Sequence, residues 1–441
     1  MAVWRRLRGR RIQLSRVLTA VLGILVPGLT ALPAYAVPQF ARRYNLKCSA
    51  CHTIAPNLNE QGYLFKRLGY HLPPALTQGQ PGPEISFIVR SEPKWDLLNN
   101  LSVAVSDFSF QTDRTTTTGS ASASTSAFQV NSWNSYAAGW IPDTNFFYFS
   151  EFDIVTNGET SPDLMNAYFG YSGGNARSSW YVAGGREHLQ VGEGTRAAQI
   201  YSFLPASPLL FENASPTNFM LDQAPVGLDA GYTWASDGYK RVFAATAKIT
   251  NGDNADGSEI LGSSSKNSKD LWFDLDYWYA PESGMTFLDY YGSKDQIQNS
   301  GLSSEFTYRP AIRRQGLFAN YMLPNNKADF LGGYLRSKDD WQETSGVGDG
   351  YFKANDFYGE ADYYVRPGLV AAARYDLLHQ TIPDGPGREV IHDWTAAVNK
   401  SLTPSGNIVG RMAYSYSSGS DPSSAVKSTS SQFQADIMFN F

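Results

Sequence analysis

Cysteine is almost missing from this chain: of 441 residues only two are Cys, and both fall in one short motif, at Cys48 and Cys51. Once that motif is occupied no thiol is left over, so the fold holds together without disulfides even in an oxidising compartment. Long hydrophobic runs are also missing after residue 36, and mean hydropathy is −0.32, which excludes a bundle of membrane-spanning helices. The signatures of hydrolytic catalysis are absent as well. No nucleophile with a base and an orienting partner, no phosphate loop and no H-E-x-x-H pattern occurs.

Positive charge is in deficit. Six arginines (Arg5, Arg6, Arg8, Arg10, Arg11, Arg16) precede an apolar run from Val17 to Leu25, and Ala34-Tyr35-Ala36 offers the small residues that signal peptidase requires. Pro27 and Pro33 interrupt that run before it reaches the roughly 20 residues of a helical span, so residues 1–36 are expected to be a cleaved export signal and not an anchor. Without them Lys+Arg falls from 36 to 30 against 41 Asp+Glu, a net charge of −11. Such a balance disfavours nucleic acid and leaves cations as the natural small partners.

What is abundant is aromatic: 26 Tyr, 25 Phe and 10 Trp, beside 39 Gly. High aromatic content with low hydropathy and an export signal suits a transmembrane barrel, whose strands need only every second residue apolar. From about Leu101 the sequence does run with period two. Phe433, Ala435, Ile437, Phe439 and Phe441 share one face of the last strand, while Gln434, Asp436, Met438 and Asn440 share the other. A chain ending on Phe after such alternation looks like the terminal strand that barrel-assembly machinery recognises. Leu271–Tyr279, Phe146–Ile154 and Phe357–Val365 repeat the pattern. A soluble β-sandwich also alternates, but the terminal Phe441, the aromatics at strand ends and the unequal loops favour the membrane barrel.

Short turns (Pro142–Asn145, Arg366–Gly368, Thr403–Gly406) alternate with long polar stretches (Asp113–Ser124, Asn251–Asp270, Ser417–Ser430), the pattern of periplasmic turns and outer loops. A first scan marks 18 candidate strands. Parity removes Glu84–Arg90, and a slip in the long and short alternation between Ser293 and Asp329 removes one more. The expected fold is an all-β transmembrane β-barrel of about 16 antiparallel strands over residues 84–441, in contact with outer-membrane lipid, with 18 strands as the fallback. The segment Gly192–Gly227 is the longest connection, and it either folds into the lumen or covers the outer rim. The Ser/Thr-rich stretch from Thr115 to Ser126 reads as an outer loop.

Residues 37–83 differ in kind. They hold the cysteine motif, a predicted helix from about Asn57 to His71, and a Pro/Gly/Gln linker from Pro73-Pro74 to Pro83, making a small α-helical head too short to bury much core unaided. Cys48-Ser49-Ala50-Cys51-His52 is a C-x-x-C-H pattern, the attachment signature of c-type haem. Two thiols at that spacing reach the two vinyl groups of one porphyrin, and the adjacent imidazole then lies under the iron. Redox disulfides and zinc sites also use C-x-x-C, but a thioredoxin-like context and further cysteines are both lacking. The expected cofactor is one covalent haem c on Cys48 and Cys51, with His52 as an axial ligand.

The second axial position stays open at this stage. No Met occurs between Val37 and Arg90, and His71 is the other histidine of the head, at i+7 from Leu64 and i+3 from Leu68. His71 is therefore one candidate, beside a barrel methionine or an open site. A histidine at a helix C-terminus also has a purely structural use against the helix dipole. Axial identity shifts haem potential, so neither potential nor direction of electron flow follows from the sequence.

Phe40-Ala41-Arg42, Tyr44, Cys48, Cys51-His52, Pro56, Leu58-Asn59, Gly62, Phe65-Lys66 and Gly69-Tyr70 together resemble the head of the fused monohaem cytochrome–porins of iron-oxidising bacteria. The resemblance is specific over roughly 35 residues, and beyond them only the order of parts and the barrel architecture are shared. It implies a monohaem cytochrome c head ahead of a porin-like barrel, oxidation of extracellular Fe(II), and passage of the electron to a periplasmic c-type cytochrome or other soluble carrier. Apolar faces turned to lipid would place Glu151, Asp153, Asp274, Asp276, Asp289, Glu360, Asp362 and Asp393 in the lumen, where rings of acids favour cations. Lumen arginines such as Arg374 and Arg411 would pair with some of them. Two other functions are compatible: a diffusion porin for cations or small solutes with a structural or sensory haem, and outward electron transfer to an external acceptor.

Overall fold

The computed structural model describes residues 40, 46, 50–54, 57–70, 101–118, 122–141, 144–156, 163–175, 177–189, 203–205, 221, 224–236, 240–250, 269–279, 283–292, 306–307, 311–343, 349–382, 387–404, 406–420 and 427–440. Cys48, His71, the expected export signal, the linker to Pro83, Glu84–Arg90 and Phe441 lie outside the described residues. The chain divides at Ala36, where the sequence places signal cleavage, and every element described here belongs to the second unit, Val37–Phe441.

The head supplies β1 (His52–Ile54), β2 (Asn57–Leu58) and α1 (Glu60–Arg67). The barrel follows with β3 (Leu101–Thr117), β4 (Ala123–Trp140), β5 (Phe146–Thr156), β6 (Asp163–Gly174), β7 (Ser178–Arg186), β8 (Val226–Ala235), β9 (Arg241–Thr250), β10 (Asp270–Tyr279) and β11 (Ser283–Gly292). Then come β12 (Phe306–Thr307), β13 (Ile312–Met322), β14 (Ala328–Glu343), β15 (Asp349–Arg366), β16 (Leu369–Ile382), β17 (Gly387–Ser401), β18 (Ile408–Ser420) and β19 (Lys427–Asn440). Seventeen segments close into one antiparallel barrel, sealed where β19 pairs with β3. Closure matters because hydrocarbon offers no partner for an unpaired backbone amide.

One of the seventeen, β12, is two residues long and pairs with the far end of β14, while β11 pairs directly with β13 along its length. Sixteen strands therefore span the wall, and the supernumerary piece lies inside the interval, Ser293 to Asp329, where the loop alternation slips. The expected all-β transmembrane barrel is what the chain forms.

Period two sets which face each residue takes. On β10, Trp272, Asp274, Asp276 and Trp278 are buried in the lumen, while Leu271, Phe273, Tyr277 and Tyr279 are exposed on the outside. A soluble sandwich turns its polar face outward; here the exposed face is hydrocarbon and the buried one carries the acids, as a lipid solvent requires. Outward aromatics gather at the short-turn rim: Phe146, Trp180, Trp234, Phe243, Tyr279 and Tyr321 are all exposed there. Such a girdle marks the level of a membrane interface.

Two expected loops are largely strand. β3 runs to Thr117 and β4 starts at Ala123, with Thr115 opposite Ala123, so most of Asp113–Ser124 is a paired hairpin. Likewise Ser417 pairs with Ser430 in β18 and β19. Polarity suggested loops, yet Thr in particular has good strand propensity, and ladders continue past the membrane where water replaces lipid.

Candidate functional site

The described half of the C-x-x-C-H turn is held by its own neighbourhood. β1 folds back on β2, with His52 opposite Leu58. Asn59 then caps α1: its side chain accepts from the Gly62 amide at 3.0 Å, its own amide donates to the Cys51 carbonyl at 2.9 Å, and its side-chain nitrogen donates to the Ala50 carbonyl at 3.3 Å. The first turn of α1 packs so closely on the cysteine turn that a Cβ on Gly62 would stand 2.2 Å from the Cys51 carbonyl oxygen. Only glycine permits that approach. Cys51 and His52 are half-buried. A thiol and an imidazole on adjacent residues are thus fixed by backbone hydrogen bonds and a helix start.

The helix stops earlier than its sequence pattern suggests. Gly69 donates to the Lys66 carbonyl at 3.0 Å and Tyr70 to that of Phe65 at 2.9 Å, with φ +65° at Gly69 and 65° at Tyr70. This paired arrangement is a Schellman ending. The helix therefore ends before the expected stripe Leu64–Leu68–His71 is complete, and Leu64 packs against barrel residues Ala235, Val242, Ala244 and Trp278. Where His71 itself points lies outside the described residues.

That packing places α1 inside the lumen at the short-turn end. Tyr63 donates to Asp276 on β10 at 2.6 Å, and the Tyr63 and Trp278 rings meet edge to face at 4.8 Å. Arg67, buried on all sides, reaches Asp276 at 2.5 Å and Asp274 at 3.2 Å, donates from Nε to Tyr63 Oη at 2.9 Å, and touches Thr246 on β9. Burial alone would lower the Arg67 pKa, but Tyr63, Asp274 and Asp276 more than offset it and hold the guanidinium well above its usual value. On the same side Tyr70 bonds to Tyr168 through their hydroxyls and packs with Phe65, Phe147 and Tyr181. Glu187, just past β7, is held below the usual carboxylate range: burial opposes ionisation, and Lys248 and then Lys66 outweigh it.

The opposite wall is also met. Ile54 of β1 packs with Val370, Ala372, Ala397 and Val409, together with Phe203 and Leu204 of the long connection. Asn399 donates to the Phe203 carbonyl at 2.7 Å. Phe203 and Leu204 thus enter the lumen, and with the head they bridge its inner end from β8–β10 to β16–β18.

The lumen acids divide by partner. Asp153, Asp274, Asp276, Glu360 and Asp362 are buried inside as expected, and Asp393 and Glu151 share that face. Asp289 is a correction: it lies on the outward face with Met285 and Phe287 and pairs with Arg313 at 3.3 Å. The period of β11 already assigns it there, because it alternates with buried Leu288 and Tyr290. Arg374 bonds Asp376 at 2.7 Å and lies 3.7 Å from Glu360, and Arg411 bonds Asp436 at 2.6 Å, so the expected arginine pairing is present. Among the described residues, no three His, Cys, Asp or Glu side chains converge on a metal position.

Sequence reasoning singled out the cysteine motif, and Tyr70 only as part of the resemblance, but not Arg67 or Tyr63. Arg67 reads from sequence as a basic residue suiting a helix C-terminus, and its two carboxylate partners are more than 200 positions away in the chain.

Comparisons with known proteins speak to the barrel. No family model matches the chain and no curated protein matches it. Among solved structures it is similar to an anion-selective porin from Comamonas acidovorans, at 12% identity and TM-score 0.51, covering 77% of this chain and 99% of that one. It is also similar to OmpF of Salmonella typhi (15%, TM-score 0.48, 78% and 98%) and to the outer membrane channel DcaP of Acinetobacter baumannii (10%, 0.44, 78% and 96%). At 12% identity the likeness to the Comamonas structure shows a fold alone: a porin-type outer-membrane barrel.

Proposed function

We propose that this chain is an outer-membrane electron-transfer protein of the fused monohaem cytochrome–porin type, exported by cleavage after Ala36. Cys48 and Cys51 would hold one haem c, with His52 on its iron and His71 a candidate for the opposite face. When bound, that group supplies a one-electron couple within the potential range that axial ligation sets. The observation that carries the reading is the seat of the head: a half-buried cysteine–histidine turn braced across the inner end of the barrel by Arg67, Tyr63 and Ile54.

The chain's own residues then do three things. The apolar outer face keeps the barrel in lipid. The paired head and the Phe203–Leu204 segment occupy the inner end of the lumen, where they would limit bulk solute flow. Arg67 on Asp274 and Asp276 fixes the cysteine turn relative to the wall, so a donor entering from the long-loop side and a carrier arriving from the short-turn side meet one fixed point. Fe(II) is the donor that the family resemblance implies, and a periplasmic c-type cytochrome or other soluble carrier is the acceptor. Anaerobic addition of Fe(II) to the purified chain tests this: ferrous haem bands are expected, and a haem that stays ferric over a broad pH range removes the iron assignment.

A second reading is favoured by the porin-type fold, which by itself supports a channel without calling on a haem. In it the barrel is a diffusion channel for cations or small solutes, and the haem is structural or sensory. It predicts sizeable conductance in planar bilayers and unchanged uptake after Cys48→Ala. Outward electron flow to an external acceptor is a third possibility, and a redox titration of the haem distinguishes its direction.

A further inference from the structure

The chain is acidic overall, which makes the sign of its inner rim informative. Without residues 1–36 the balance is 30 Lys+Arg against 41 Asp+Glu, yet the short-turn end carries Arg177, Lys240, Arg241, Lys327, Arg366 and Lys400, all exposed. The acids that these turns contain in sequence are Asp143, Asp237 and Glu282, whose side chains lie outside the described residues. Six cations against three acids leave this rim positive.

The cations are not spread evenly around it. The Arg177 carbonyl accepts from the Ala235 amide at 2.8 Å and the Arg241 carbonyl from the Ser236 amide at 2.9 Å, so Arg177, Lys240 and Arg241 share one arc across β7–β9. The Lys327 carbonyl accepts from the Tyr364 amide at 2.9 Å, while Leu369 stands opposite Arg366 on one side and Lys400 on the other, which makes a second arc across β14–β17. In the strand order of the closed wall the two arcs lie nearly opposite each other. They coincide with the two places where the head is braced. Leu64 packs on Ala235 and Val242 beside the first arc, and Ile54 on Val370 and Ala397 beside the second. The turns between the arcs, β4–β5 and β10–β11, contribute Asp143 and Glu282 instead.

Size adds a second argument. Sixteen strands about 4.8 Å apart and tilted by about 40° enclose a ring on the order of 30 Å across, about the diameter of a small domain. A small soluble protein seated on this mouth therefore meets both arcs at once, with its middle over the head. Lipid headgroups surround the whole rim and give no reason for cations to gather beside the head. A positive rim attracts a negatively charged protein face and disfavours a positive one.

We infer that the two arcs form a docking surface for a small soluble electron carrier with an acidic face around its redox centre; the choice of partner rests on the electron-transfer reading above. The test measures association of the full chain, in neutral detergent, with one lysine-rich c-type cytochrome in two forms, untreated and succinylated to make it acidic. At about 50 mM salt the screening length is well under about 30 Å, so the near rim and not the remote acids sets the field. The succinylated form is expected to associate at least about tenfold faster there, an advantage that falls below about twofold at about 1 M salt. The triple variant Lys240→Glu, Lys327→Glu, Arg366→Glu is expected to lose the advantage, while Arg114→Glu, Arg336→Glu, Lys427→Glu on the long-loop side keeps it. Equal association of the two forms with the wild type, an unchanged advantage in the first variant or equal loss in the second overturns the surface. So does its abolition by added phosphatidylglycerol, which assigns the cations to lipid headgroups. If the first variant does not fold, the wild type decides alone, by the two forms at the two salt concentrations. Covalent haem measured on the same preparations separates the two claims: the preference without haem supports the surface and removes the electron-transfer reading, and haem without the preference does the reverse.

Discussion

Arg67 is the residue on which the head's position turns. Its guanidinium is buried between Asp274, Asp276, Tyr63 and Thr246, so Arg67→Ala leaves two buried carboxylates without their cation, a change that costs about 3–5 kcal/mol. The strands do not depend on it, and the variant is expected to migrate as a folded barrel on unheated gels while its conductance in planar bilayers rises several-fold. Arg67→Lys keeps charge without the fork and should fall between. The pH sign follows from the shift: a folded pKa raised above that of the unfolded chain gives stability that is complete below the unfolded value and lost only as pH rises through the folded one. Docking of the head through Arg67, read as protease protection of α1, should therefore be unchanged from about pH 6 to about pH 9. Gly62→Ala tests the other end of α1. A Cβ 2.2 Å from the Cys51 carbonyl must push the helix off the cysteine turn, so covalent haem per barrel, read by peroxidase staining, is expected to drop several-fold with barrel yield unchanged. By contrast Arg313→Ala at the exposed Asp289 pair should change thermal stability by less than about 1 kcal/mol.

At the scale of elements, α1 is short, and its own propensity contributes little. Its order comes from Leu64 against Ala235, Val242 and Trp278, and from the Asn59 cap and Schellman end. Leu64→Ala should cost about 2–5 kcal/mol of docking, seen as faster protease cleavage within the head while the strands stay protected. The strands were legible in the sequence because each carries its own alternation; Leu271–Tyr279 assigns its two faces without reference to any neighbour. The cysteine turn was legible because its chemistry is local. What could not be read was docking, since Tyr63 and Arg67 meet partners that the chain supplies from distant strands. The helix end was misplaced because Leu68 and His71 continue an apparent stripe, whereas Gly69 and Tyr70 both take positive φ and turn the chain away. Asp289 was assigned to the lumen by its charge, although its alternation with Leu288 and Tyr290 placed it outside.

For the whole molecule, the inversion of polarity and the filled inner mouth act together. An outward face of Leu, Phe and Tyr with acids and arginines inside makes the wall a membrane element. The head and Phe203–Leu204 pack between β8–β10 and β16–β18 at the short-turn end of the lumen. The strand count came within reach because the loop alternation slipped where β12 interrupts it. The account rests on electrons crossing this wall at the seated head while solutes do not. The direct test is a sealed proteoliposome with the chain inserted, an oxidised c-type cytochrome trapped inside and Fe(II) supplied outside under anaerobic conditions. Reduction of the trapped cytochrome is expected, abolished by Cys48→Ala, with wild-type vesicles retaining a small trapped sugar. Leakage of the sugar with no reduction inside, or equal reduction by the Cys48→Ala vesicles, would contradict it.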